Sequence, residues 1–211
     1  TYAAVDGFGP EKENISDTDL NIMDKWVLSK LHTFIRDSRL ALDEFRSDKM
    51  MKKFELFLEE LSNWYIRRNR RRFWKSEDDG DKQAAYMILY EVLTTVIKIL
   101  APVVPFVSEE IYQNLVRNLD KSSPESVHLC DYPVADESKI DSVLMDNVDA
   151  LRRVVELGRS ARNKGNLKIR QPLAELSFTI KNDAVADFIF EQKSVVLDEL
   201  NVKALKRAEV E

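Results

Sequence analysis

The chain has 211 residues with a formal net charge of −5, and its 44% hydrophobic and 33% charged residues exclude an intrinsically disordered protein. Five glycines and six prolines are too few for an all-β protein with many tight turns, and a single cysteine excludes an internal disulfide and a cysteine-rich zinc module. We find no apolar run of about 18 residues, so we expect no membrane span and a location in the reducing cytoplasm.

Apolar residues at helical spacing predict four helices in the first part of the chain. The helices are expected at residues 20–45, 47–75, 82–100 and 105–118, with the second as one continuous rod. Asp17, Thr18 and Asp19 are candidate N-caps for the first helix, and Ser47 and Asp48 for the second. Short connections between these helices predict a bundle.

The pattern changes after Pro124. A short extended segment is predicted at residues 127–130 and a fifth helix at residues 138–164. Alternating apolar residues then predict a strand at 176–180, followed by a short helix at 184–191 and a last ordered segment at 202–205.

These elements define the fold class, which is mainly α: a helical bundle followed by a small α+β region. The chain divides into a leader (1–20), the helical bundle (21–135) and a helix with a small α+β junction subdomain (136–211).

A strongly basic segment ends the second predicted helix. Residues 67–75 hold five arginines and a lysine in nine positions, with Trp64 before them and Trp74 near their end, although the chain as a whole is acidic. Such a patch indicates a polyanionic ligand, for which RNA is the best candidate, since guanidinium groups suit both phosphate contacts and stacking on bases.

Helical geometry at 100° per residue divides these arginines between faces. The predicted core stripe comprises Phe54, Phe57, Leu58, Leu61 and Tyr65. Its extension reaches Arg68 and Arg72, where a buried guanidinium must find either a phosphate or a carboxylate. The candidate carboxylates are Glu59, Glu91, Glu109 and Glu110. Trp64 and Tyr65 can either pack in the bundle or stack on unpaired bases, and packing is favoured.

Several segments together resemble isoleucyl-tRNA synthetases. The segments that carry this resemblance are residues 2–8, 23–31, 61–74, 100–112, 126–133, 158–162 and 170–173. The bundle alone would also fit the valine, leucine and methionine relatives. The Asn-Trp-Tyr-Ile-Arg-Arg sequence beginning at Asn63 and the Arg-Gln-Pro-Leu sequence beginning at Arg170 favour isoleucine.

The resemblance implies an anticodon-binding domain that holds the anticodon stem-loop of tRNA(Ile). The residues expected to bind tRNA are Asn63, Arg67, Arg70, Arg71, Arg72 and Trp74. The expected supporting residues are Trp64, Arg68, Arg159, Arg162 and Arg170, of which Arg162 continues an apolar helix line and is better explained by a structural role.

The resemblance also implies a longer parent enzyme that joins isoleucine to tRNA with ATP and Mg²⁺. Its catalytic and editing signatures are absent from this chain, which we expect to be an inactive piece of that polypeptide with no cofactor of its own. A further C-terminal domain of the parent, sometimes with zinc, is expected elsewhere, and the protein is expected to be a monomer. His32, His128 and Cys130 do not form a metal site by spacing.

One alternative from a different class stays open on the residues alone. The chain can also be read as a helical protein-interaction module whose arginines pair internally or with an acidic partner protein. Salt dependence of RNA binding distinguishes the two interpretations.

Overall fold

The computed structural model describes Gly9 and residues 20–75 and 79–208, in two compact units, Thr1–Asp141 and Ser142–Glu211. Most of the predicted leader, including the candidate caps Asp17, Thr18 and Asp19, lies outside the described residues. The first unit takes in residues 136–141, which the sequence-based division placed in the second region. The N–H of Asp136 donates to Nδ1 of His32 (3.0 Å) and thereby ties this stretch to the first helix.

The first helix, α1, spans Ile22–Asp43, and its N-cap is Asn21. The Asn21 side chain accepts from the N–H groups of Met23 (2.8 Å) and Asp24 (2.9 Å). The Asp24 carboxylate in turn accepts from the N–H of Asn21 (3.1 Å), which completes a capping box. The helix therefore begins later than the sequence pattern placed it, because this local pair satisfies its first free N–H groups.

The predicted second helix is interrupted. It runs as α2 (Ser47–Glu60), a π-helical segment (Leu61–Ile66), a turn at Asn69 and α3 (Arg70–Lys75). The prediction of one continuous rod was wrong, because periodicity assumes 3.6 residues per turn and does not register the wider π turn.

The predicted caps of α2 are also absent. No side chain caps its first turn, and Asp48 instead binds the guanidinium of Arg46 through two bonds of 2.7 Å. Both residues are exposed, so this pair contributes little to stability.

The rest of the first unit lies between Asp79 and Asp141 and is mostly helical. It comprises α4 (Asp79–Leu100), α5 (Pro105–Tyr112), a π-helical segment (Gln113–Arg117) and 3₁₀ turns at Val127–Leu129 and Glu137–Lys139. The extended segment predicted at residues 127–130 is thus a 3₁₀ turn, because the Ser126 hydroxyl accepts from the N–H of His128 (3.2 Å) and closes it. The core of the bundle is formed where α1 packs on α2 and α4, around the fully buried Trp26, Tyr65 and Val92.

The helix Gly80–Leu100 is long and apolar enough to cross a membrane by length and composition, with a mean hydropathy of 1.3 in its most apolar window. Sequence inspection overlooked this stretch. In the structure 56% of that window is buried against the bundle, so packing within the protein accounts for its apolar character.

The second unit contains one long helix and a small sheet. Its elements are α6 (Ser142–Lys164), β1 (Leu173–Phe178), α7 (Asp183–Glu191), α8 (Lys193–Leu200) and β2 (Val202–Arg207). The strands are parallel, with Leu173 opposite Val202 and Phe178 opposite Arg207. The sequence pattern missed α8 and placed β1 three residues too late, but the fold class of a helical bundle with a small α+β region is confirmed.

Gly158 of α6 provides the close contact between α6 and α8. A Cβ atom at this position would overlap Cδ1 of Leu200, a side chain that is 1% exposed. We expect Gly158→Ala to destabilise the protein by about 1 kcal/mol in urea unfolding, because an overpacking cost of about 1–3 kcal/mol exceeds the helix-propensity gain of about 1 kcal/mol. In a Leu200→Ala background, Gly158→Ala should no longer lower the free energy of unfolding. An equal loss in the wild-type and Leu200→Ala backgrounds would contradict this explanation.

His32 makes stability depend on pH. Burial and the nearby Lys139 lower the pKa of His32 below its usual value, although Glu91, Asp136 and Glu137 oppose the shift. The imidazole is buried and neutral, with Nδ1 as the acceptor for the N–H of Asp136. Since the folded state binds this proton less readily than the unfolded state, the contribution of His32 is complete above the unfolded pKa of about 6.5 and falls as the pH drops below it.

We therefore expect the wild-type chain to lose more unfolding free energy between pH 7.5 and pH 5.5 than His32→Gln, in which a neutral amide oxygen can accept the same N–H. His128→Gln, which alters the other, exposed histidine, should keep the wild-type pH dependence. An identical pH slope for wild type and His32→Gln would contradict the assignment.

Candidate nucleic-acid interface

Arg72 fastens the basic segment to two neighbouring helices. Its Nη1 and Nη2 donate to the two carboxylate oxygens of Asp24 in α1 (2.8 and 3.0 Å), and its Nε donates to Oδ2 of Asp81 in α4 (3.0 Å). Nη2 also lies 2.7 Å from Oδ1 of Asp81. The Arg72 side chain is 12% exposed and Asp24 is completely buried, so this ion pair is largely removed from water.

Tyr65 completes this buried network. Its hydroxyl donates to Oδ1 of Asp24 (2.6 Å), and both burial and the Asp24 charge raise the pKa of the phenol. Burial alone would lower the pKa of Arg72, but hydrogen bonds to Asp24 and Asp81 outweigh it and raise that pKa above its usual value. Tyr65 therefore stays protonated and Arg72 stays charged at any physiological pH.

A second contact joins α3 to α4. The ring of Phe73 stacks on Tyr86 of α4 with centroids 5.5 Å apart, and the Tyr86 hydroxyl donates to the Phe73 carbonyl (3.2 Å). Together with Arg72, this contact positions α3 at the end of the bundle where α1 and α4 begin.

The remaining predicted contact residues face outward on this support. Asn63, Arg67, Arg70 and Arg71 are all exposed, and the Nε of Arg67 donates to the carbonyl of Asn63 (3.0 Å). We call these four residues the arginine tip. Its members share one short stretch on either side of the turn at Asn69, where three guanidinium groups can meet phosphates or bases.

The π-helical segment changes which residues are buried. Leu61, Trp64 and Tyr65 are buried, whereas Leu58 of the predicted stripe is 44% exposed. After the π turn the buried line continues through Asn69 (5% exposed), while Arg68 is only half-buried. Because a π turn inserts one residue, every angle computed at 100° per residue is displaced beyond it.

The predicted contact residues thus lie in different environments. Trp64 packs in the core, as the sequence favours, and Arg72 is bound by carboxylates, which were not the four glutamates considered from the sequence. The side chain of Trp74 lies outside the described part of the structure. The arginine tip is the group that stays accessible.

The second predicted cluster is not brought together as an open site. Arg159 pairs with Glu199 of α8, and Arg162 is 5% exposed and donates to three main-chain carbonyls. This burial agrees with the structural role that the sequence favours for Arg162. Arg170 is exposed in the loop between α6 and β1.

Within the described ranges, no group of three or more His, Cys, Asp or Glu side chains could hold a metal ion. His32 is buried with its Nδ1 bound to the main chain, and the thiol of Cys130 lies 3.4 Å from the Tyr112 hydroxyl.

Sequence reasoning missed Asp24 and Asp81, on which the geometry depends. A signal for Asp24 was present, because helical spacing puts it on the same face of α1 as Val27, Leu28 and Leu31. A carboxylate on a core-facing stripe requires a buried partner, and Arg72 is that partner. Asp81 gives no comparable signal, since it stands among other acidic residues in a turn-like stretch.

We expect Arg72→Ala to destabilise the chain by about 3–5 kcal/mol in urea unfolding, because it leaves the buried carboxylate of Asp24 without its cation. Arg72→Lys keeps the charge but cannot make the bidentate contact with Asp24. Its unfolding free energy should therefore lie between those of Arg72→Ala and wild type. Arg71→Ala is the matched control and should change stability by less than about 0.5 kcal/mol, since that side chain is exposed. Equal losses for Arg71→Ala and Arg72→Ala would contradict the anchoring role.

The chain is similar to known ligases over nearly its whole length. It is 46% identical over 205 residues to the isoleucine–tRNA ligase of Dehalococcoides mccartyi (strain CBDB1), covering 97% of this chain and 20% of that protein. It is 47% identical over 207 residues to the isoleucine–tRNA ligase of Clostridium novyi (strain NT), covering 97% of this chain and 19% of the relative. A third relative, isoleucine–tRNA ligase 2 of Bacillus cereus (strain ATCC 14579), is 43% identical over 203 residues.

The chain thus spans about a fifth of the length of the relatives it matches. Residues 24–177 match the family model described as the anticodon-binding domain of tRNA ligase. This match includes the buried Asp24–Arg72 pair, the arginine tip and the whole of α6. The chain therefore belongs to the family of tRNA ligase anticodon-binding domains.

Proposed function

We propose that this chain is the anticodon-arm-binding part of an isoleucine–tRNA ligase, which attaches isoleucine to tRNA(Ile) with ATP in the cytoplasm. The observation that carries the proposal is the arginine tip, which is exposed at the end of the bundle on a support fixed by Arg72. The similarity to isoleucine–tRNA ligases over 97% of the chain supports isoleucine over the related amino acids.

The arginine tip suits the loop of an RNA hairpin. Arg67, Arg70 and Arg71 can each grip a phosphate through two parallel N–H groups or stack on the face of an unpaired base. The amide of Asn63 offers both donors and an acceptor, and so can bind a base edge. Because α3 is held by Arg72 and Phe73, the tip does not have to become ordered when RNA binds, which reduces the entropic cost of binding.

The chemistry of the proposed ligase belongs to other parts of the polypeptide. We assign ATP, Mg²⁺, the catalytic site and the editing site to those parts, and any zinc site to a further C-terminal domain. On this proposal the chain alone has no ligase activity, acts as a monomer, and uses the catalytic and editing domains of the same polypeptide as its covalent partners.

The test is binding of an isoleucine tRNA transcript to the 211-residue chain, followed by fluorescence anisotropy at several salt concentrations. We expect affinity to fall steeply with salt, because released counterions drive phosphate binding. Arg70→Ala/Arg71→Ala should weaken binding at least about tenfold and lower the magnitude of the log–log salt slope by about 2. A transcript with a replaced anticodon should bind more weakly, because the tip would lose its base contacts.

The matched control removes two cations at the other end of the helix. Lys49→Ala/Lys52→Ala lies near the start of α2, about 30 Å of helix length before Arg70 and Arg71. It should change the affinity less than about twofold, since exposed charges this far apart are screened by salt. If the chain binds tRNA no better than an unrelated helical domain of equal net charge, the proposal is wrong and the protein-interaction alternative replaces it.

A further inference from the structure

The loop between α6 and β1 is held from within by a buried arginine. The guanidinium of Arg162 is 5% exposed and donates to the main-chain carbonyls of Lys168 (3.0 Å), Gln171 (2.9 Å) and Asn201 (3.1 Å). In the part of the chain that the structure describes, Arg162 makes no ion pair with a carboxylate. Its Nη groups are therefore bound by carbonyl dipoles alone, and its charge is not cancelled by an opposite charge.

Asn201, which lies between α8 and β2, holds the same loop. Its side-chain nitrogen donates to the carbonyls of Ile169 (3.1 Å) and Arg170 (3.0 Å). Asn201 sits in the left-handed region (φ 48°), which asparagine tolerates better than most residues. Arg162 and Asn201 together thus bind four consecutive carbonyls, those of residues 168–171.

The side chains of this loop face water and are basic. We call residues 163–172, which are the end of α6 and the loop after it, the basic loop. They contain Lys164, Lys168 and Arg170 and no aspartate or glutamate, in a chain whose net charge is −5. All three cations are exposed. Between Lys168 and Arg170 the apolar side chain of Ile169 is 47% exposed.

This arrangement differs from an ordinary solvated charge run. A surface loop does not need a buried guanidinium, and burying an uncancelled charge is unfavourable, the more so because the buried Nε of Arg162 has no hydrogen-bond partner among the described residues. The main chain held by Arg162 and Asn201 is a rigid frame, and it presents Lys168, Arg170 and Ile169 at fixed positions. The uncancelled charge of Arg162 beneath the frame adds to the positive potential above it.

We propose that the basic loop binds the phosphodiester backbone of RNA, with Lys168 and Arg170 on phosphates and Ile169 against a ribose or base. Arg162 and Asn201 are positioning residues, which act by fixing the main chain that carries those side chains. This inference rests on the proposed tRNA-binding function and adds to it a second contact surface, in the Ser142–Glu211 unit.

The test compares paired variants of the 211-residue chain in the same tRNA-binding assay. Lys168→Ala/Arg170→Ala should weaken binding at least about fivefold and lower the magnitude of the salt slope by about 2, as expected when two phosphate contacts are lost. Lys181→Ala/Lys193→Ala removes two other exposed cations of the same unit and is the matched control, expected to change the affinity less than about twofold.

A second variant tests the positioning role without changing any charge. Asn201→Gly tolerates the positive φ but removes both bonds to the loop. It should speed hydrogen exchange of the loop amides and weaken tRNA binding, while the salt slope stays at the wild-type value. Unchanged exchange together with unchanged binding would overturn the positioning role.

The outcomes separate the two proposals. If Arg70→Ala/Arg71→Ala weakens binding but Lys168→Ala/Arg170→Ala does not, the basic loop is not an RNA contact and only the arginine tip remains. If Lys168→Ala/Arg170→Ala and its lysine control weaken binding equally, the effect is general charge loss and the inference is also overturned. If the wild-type chain does not bind tRNA, both proposals are wrong.

Discussion

The buried pair of Asp24 and Arg72 is the constraint on which the accessible arginines depend. It joins the first turn of α1 to α3, and Asp81 extends the link to the start of α4. A completely buried carboxylate is tolerated only with a full set of donors, and here Arg72, Tyr65 and the N–H of Asn21 supply them. Arg72 is thereby used inside the protein, and the neighbouring arginines of the basic segment are held at fixed positions on the surface.

Each basic surface is held in place by a supporting arginine, Arg72 or Arg162, but the two arginines are bound by different kinds of partner. At the arginine tip the supporting guanidinium is neutralised by two carboxylates, so the positive potential there comes from the exposed side chains alone. In the basic loop the supporting guanidinium of Arg162 is bound by carbonyl oxygens and keeps its charge. The first arrangement favours stability, since two carboxylates bind the guanidinium, and the second favours attraction of an anion.

Much of the fold could be predicted from local sequence signals, and the failures share a physical origin. Long amphipathic helices such as α1 and α6 were visible because their apolar spacing is regular over many turns. The π-helical segment and the turn at Asn69 were missed because periodicity assumes 3.6 residues per turn, and α8 was missed because it has only eight residues. At the site, exposure of Arg70 and Arg71 follows from composition, whereas the pairing of Arg72 with Asp24, 48 positions away, does not follow from any local pattern.

The π-helical segment Leu61–Ile66 has a consequence for how this domain tolerates change in chain length. A π turn amounts to one extra residue within an α-helix, and removing one residue would restore the ordinary winding. Residues after the segment, Arg72 among them, would then keep their place opposite Asp24, whereas removing a residue from the regular turns of α2 would rotate everything downstream by about 100° and shift it by about 1.5 Å. Gene lineages that carry this helix should therefore accept a single-codon deletion within the π-helical segment more readily than one within α2.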